Sequence, residues 1–178
     1  MDPGRFVWVD ECGSHTSLTP LYARAPKGER AHGRVPRNRG PNTTLLASLT
    51  LQGMGPAVTL EGAMDTPVFA AYIEQVLAPT LRPDDIVVMD NLSAHKSGRA
   101  RQAVAARGAQ LWFLPAYSPD LSPIEEAFAK LKARLRRAEA RTREALETAL
   151  GQALEAITPQ DARGFFAHCG YLPQAQPS

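Results

Sequence analysis

Cysteine is scarce: Cys12 and Cys169 are the only two in 178 residues, and neither belongs to a CxxC pair. That excludes a disulfide framework and argues against a thiolate zinc site, leaving Cys12, two residues beyond Asp10, as a small buried thiol. Long hydrophobic runs are missing as well. No stretch approaches the roughly 20 apolar residues of a membrane span. Met1-Asp2-Pro3-Gly4 has neither the basic start nor the apolar core of a secretion signal. A cytoplasmic protein is expected. Strong charge of one sign is also absent, the net charge being +2, so bulk charge does not by itself indicate a polyanionic partner.

The distribution of charge says more than its sum. Arg24, Lys27, Arg30, Arg34, Arg37 and Arg39 face one acid, Glu29. Lys130, Lys132, Arg134, Arg136, Arg137, Arg141 and Arg143 face Glu139. Such blocks can neutralise phosphates or form solvated faces.

Periodicity outlines an α/β domain spanning 1–178, with a basic loop at 26–41 and a loose tail at 173–178. Arg5–Val9 reads as a strand buried on both faces, ending in Asp10-Glu11. Leu18–Ala25 is a weaker strand candidate. Thr43–Leu51 and Ala57–Glu61 read as strands joined by a turn at Gln52–Pro56, giving a three-strand antiparallel meander. Thr66 is expected to cap a helix to about Leu77, with Pro67 in its first turn. Ile86–Met89 is a compact strand that ends in Asp90. A helix from Ser97 to Arg107 and a strand at Gln110–Leu114 follow, then a loop at Pro115–Pro123. Ile124, Phe128, Leu131 and Leu135 form the apolar stripe of a basic helix, and Thr142 and Thr158 open two more. The expected architecture is a five-stranded mixed sheet, the meander plus two parallel strands, flanked by helices with extra helices at the C-terminus.

Two strands ending in Asp, and a helix beginning Glu125-Glu126, suggest a carboxylate site. Ligands gather at strand ends in α/β sheets, and neighbouring first and fourth strands would bring Asp10 and Asp90 together. At about 100° per residue, Glu125 borders the apolar stripe while Glu126 lies nearly opposite it, so Glu125 is the expected third member. Three hard carboxylates without a His/Cys cluster select Mg²⁺ or Mn²⁺, and a two-ion site suits in-line attack at phosphorus.

The stretches VDE at 9–11, MDNLSAHK at 89–96 and LPAYSPDLSPIEEAFAKLK at 114–132 resemble the catalytic core of mariner-superfamily transposases, nearest to the bacterial insertion-sequence 630 type. Thirty-four residues separate Asp90 from Glu125, the family spacing, and the resemblance runs from about Phe6 to Tyr171. It implies a ribonuclease H-like fold, a catalytic and metal-binding triad of Asp10, Asp90 and Glu125, and excision of a DNA element followed by transfer of its 3′ ends, commonly to a TA dinucleotide. Double-stranded DNA becomes the expected partner and a bacterial nucleoid the expected setting. Arg34, Arg37, Arg39, Lys96, Lys132 and Arg136 are candidate DNA contacts, and His95 either orients a carboxylate or touches phosphate. Ser122 stands where the family usually has Asn and is expected to bond backbone locally. Relatives carry helix-turn-helix domains before the first Asp. None is expected here, so the chain alone is expected to have little sequence specificity and to act as a homodimer or paired with a separately encoded helix-turn-helix segment. The alternatives are a truncated, non-specific DNA-binding remnant and a cellular nuclease of the ribonuclease H type.

Overall fold

The computed structural model describes residues 2–38, 40–116 and 118–173; Arg39, Tyr117 and all but the first residue of the tail expected at 173–178 lie outside the described residues. Three antiparallel strands open the fold: β1 (Phe6–Ser14), β2 (Thr43–Thr50) and β3 (Gly53–Glu61). Parallel strands β4 (Ile86–Met89) and β5 (Gln110–Phe113) extend the sheet beyond β1, in the order β3-β2-β1-β4-β5.

Side chains alternate across a strand, so the central strands feed two cores. Phe6, Trp8 and Cys12 of β1 join Leu45 and Leu49 of β2 under three C-terminal helices. These are α3 (Pro123–Ala138), α4 (Arg143–Glu155) and α5 (Pro159–His168). Val7, Val9, Leu46, Val87 and Met89 face the opposite way, onto α1 (Thr66–Tyr72) and α2 (Gly98–Ala105). The stripe of Ile124, Phe128, Leu131 and Leu135 is buried on the sheet as its spacing requires. Thr158 and Asp161 form the expected capping box of α5.

Four local expectations need correction. β1 does not stop before Asp10: its ladder with β2 continues to Ser14, so Asp10 is mid-strand. What ends there is the parallel neighbour, since β4 pairs only with Phe6–Trp8. Leu18–Ala25 forms no strand; the carbonyls of Thr16 and Leu18 are taken by the Arg141 guanidinium, at 3.1 and 2.8 Å, in place of a ladder. The β2–β3 turn is only Leu51-Gln52, because Gly53 already pairs with Thr50. Gly53 has φ +110°, and a Cβ there would sit 3.0 Å from the Ile157 carbonyl oxygen, so glycine is required. Finally, Asp65 rather than Thr66 caps α1, accepting from the Val68 amide at 2.9 Å. The helix then loosens into a π-helical turn at Ile73–Leu77.

Candidate active site

The parallel register of β1 and β4 pairs Phe6 with Ile86, Val7 with Val87 and Trp8 with Val88. Extending it by two residues sets Asp90 beside Asp10. Asp10 is on the Trp8 and Cys12 face of β1, the face covered by α3. Glu125 stands in the first turn of α3. All three acids line one cavity of about 510 Å³, together with Glu11, Asn91, Leu92, Leu114, Pro115, Ser118 and Ser122. Glu126 is not on the cavity and instead meets His168 Nδ1 at 2.8 Å.

Electrostatics distinguish the three carboxylates. Burial raises the Asp10 carboxyl to about 7; the Glu11 amide opposes this at 2.8 Å, and the charges of Glu11, Glu125 and Asp90 add to it. Partial burial also works against ionised Asp90. Contacts from the His95 ring and the Leu92 amide outweigh it and hold that carboxyl below the usual range. Burial alone would lower the His95 imidazole, yet Asp90 and Glu11 together raise it to about 9. His95 is therefore a buried cation at neutral pH.

His95 is fully buried, which favours the first of its two expected roles, orienting a carboxylate, over touching phosphate. Its Nε2 meets Glu11 Oε2 at 2.9 Å. Its Nδ1 is in ion-pair contact with Asp90 Oδ1, where charge matters more than the off-line hydrogen-bond geometry. Its ring stacks on Phe69, with centroids 4.4 Å apart. Of the other candidate contacts, Arg34, Arg37 and Lys96 are exposed, and Lys132 and Arg136 are half-buried along α3. Lys132 bonds the Cys12 thiol, which burial nevertheless pushes up. The Ser122 side chain makes no capping bond; its carbonyl accepts from the Glu125 amide at 3.1 Å, so the main chain shapes this entry to α3.

As the side chains stand, no three His, Cys, Asp or Glu groups among the described residues close on a common ion position. The donor set still fits a hard divalent cation. Asp10, Asp90 and Glu125 are oxygen-bearing side chains on one cavity, and a bound cation would offset the burial that chiefly raises Asp10 together with the smaller repulsion from its neighbours.

The family of DDE superfamily endonucleases matches residues 5–147. The chain belongs to that family. The transposase of transposable element Tcb1 from Caenorhabditis briggsae is 32% identical over 140 residues, covering 73% of this chain and 51% of the relative. Among solved structures, the Mos1 transposase paired-end complex with left transposon end aligns with a TM-score of 0.71 at 20% identity, over 94% of this chain and 53% of that one. The mariner Mos1 paired end complex with Mg aligns with a TM-score of 0.69 at 18% identity, over 93% and 53%. This chain thus spans about half the length of the relatives it matches. The shared architecture is the ribonuclease H-like fold, a mixed five-stranded sheet flanked by helices.

Two residues of this DDE endonuclease domain escaped sequence reasoning. Glu11 follows Asp10 with no sequence signal of its own, yet strand alternation turns it toward His95 while it still lines the cavity. Arg141 was counted within a basic block, yet it ties the loop after β1 to the α3–α4 connection. No sequence signal distinguishes it from the neighbouring arginines. Among the described residues, no helix is long and apolar enough to cross a membrane.

Proposed function

We propose that this domain is the catalytic part of a DNA transposase, cleaving DNA strands and joining 3′ ends to a target, with Asp10, Asp90 and Glu125 holding two Mg²⁺ or Mn²⁺ ions. The observation that carries this reading is the convergence of the three acids. The β1–β4 register aligns two of them, and the first turn of α3 brings the third to the same cavity. When bound, such ions activate a water or 3′-hydroxyl nucleophile and stabilise the leaving oxygen.

The chain's own residues prepare that chemistry. His95 orients Asp90 and keeps it ionised, so it is ready to ligate without first losing a proton. The strand backbone fixes Asp10, whose burial keeps bulk water from one side of the reacting centre. Arg34, Arg37, Lys96, Lys132 and Arg136 are proposed to neutralise DNA phosphates. The Mos1 complexes with a transposon end and with Mg support a DNA partner and a divalent ion here. The motifs VDE, MDNLSAHK and SPDLSPIEE support the bacterial insertion-sequence 630 type and a TA target. The active form is proposed to be a homodimer, with a helix-turn-helix segment recognising the element ends.

The test is Mn²⁺-dependent nicking of supercoiled DNA by the wild type beside Asp90→Asn. The wild type should nick and the variant should not. Equal activity in both would overturn the site.

A further inference from the structure

His95 is fully buried, yet it touches a carboxylate oxygen with each ring nitrogen: Glu11 Oε2 at Nε2, 2.9 Å away, and Asp90 Oδ1 at Nδ1. The Nε2–H can donate to Glu11, and the Nδ1 contact with Asp90 is close though off the hydrogen-bond line. The ring cannot swing away, because Phe69 covers its face with centroids 4.4 Å apart. Glu11 is anchored equally firmly, as part of β1 in register with Leu46. The three groups thus form a line from a strand residue, through a locked ring, to a carboxylate on the cavity.

We propose that Glu11 is a positioning residue for metal binding: through His95 it fixes the orientation of the Asp90 carboxylate, while Asp10, its neighbour on the same strand, faces the cavity directly. The inference rests on the proposed metal-binding role of Asp90. Side chains behind a ligand orient it and tune its basicity, and their loss costs about 10–100-fold in metal affinity or activity. Here β1 supplies both kinds of residue from adjacent positions, because successive side chains leave a strand on opposite faces.

The experiment measures Mn²⁺ affinity of the full chain, without DNA, by electron paramagnetic resonance. The proteins are the wild type, Glu11→Ala, Glu11→Gln and Asp90→Asn, each checked for folding by circular dichroism. Glu11→Ala should weaken Mn²⁺ binding by about 10–100-fold. Glu11→Gln should recover most of the affinity, since its amide oxygen still accepts from His95 Nε2. If Glu11→Ala does not fold, Glu11→Ser, too short to reach the ring, takes its place with the same expected loss. Wild-type affinity in Glu11→Ala or Glu11→Ser would overturn the inference. So would a Gln variant as weak as Ala, which would make Glu11 a direct charge-bearing ligand. If Asp90→Asn binds Mn²⁺ as tightly as the wild type, the metal site itself fails; if only that variant loses affinity, the site stands and the Glu11 inference alone falls.

Discussion

His168 holds Glu126 through Nδ1 at 2.8 Å and so turns it away from the cavity that Glu125 lines. The two neighbouring glutamates of α3 therefore make opposite predictions. Glu125→Gln should reduce Mn²⁺-dependent DNA nicking by about 10³-fold or more, the scale of several kcal/mol of lost charge stabilisation. Glu126→Gln should stay within about twofold of the wild type and lose at most about 1 kcal/mol of stability, because His168 is exposed and Glu126 only half-buried. The reverse ranking in a nicking assay would move the third ligand to Glu126.

Asp161 links the cap of α5 to α3. Its carboxyl is held down at about 2 from an ordinary 3.8, first by Lys130 and then by the Thr158 amide. A depressed folded value means the stabilisation is complete above about 4 and disappears as pH falls through about 2. Asp161→Asn should therefore melt below the wild type at pH 7, and the two melting curves should converge near pH 2. A constant gap across that range would show that the carboxylate charge is not what stabilises the cap.

Phe166 is fully buried at the centre of the helical layer, edge-on to the Trp8 ring with centroids 6.4 Å apart. Phe166→Ala should destabilise by about 3–5 kcal/mol in urea unfolding. A loss under 1 kcal/mol would mean the layer collapses to fill the space.

Arg34 and Arg37 are exposed in the segment between β1 and β2, whose sequence contains a single acid, Glu29. If they neutralise phosphates, Arg34→Ala/Arg37→Ala should lower the slope of log affinity against log salt by about 2 for duplex DNA. An unchanged slope would assign these arginines to solvent.

Much of the frame was readable before the structure, for physical reasons that differ by element. The α3 stripe is long and strongly periodic, so its buried face and the position of Glu125 both followed from helical geometry. β4 is short, wholly apolar and bounded by acids. β1 was cut short because Glu11, Cys12, Gly13 and Ser14 lack the apolar pattern of a core strand, yet pairing with β2 carries them on. Leu18–Ala25 carries strand-like residues but pairs with no strand of the sheet, and a distant arginine takes the Leu18 carbonyl. For His95, nothing local in MDNLSAHK separates orienting a carboxylate from touching phosphate, because burial comes only from the packing of α1 over the ring.

The adjacency of Asp10 and Glu11 on one strand makes the site sensitive to frame rather than to composition. Deleting one residue of β1 ahead of Asp10 would keep every acid in the chain, while moving each following side chain to the other face. Glu11 would then take the place of Asp10 on the α3 face, and Asp10 would turn toward His95, too short to meet the buried ring. Such a deletion should be more harmful than either conservative substitution, and no inventory of the remaining residues would reveal why.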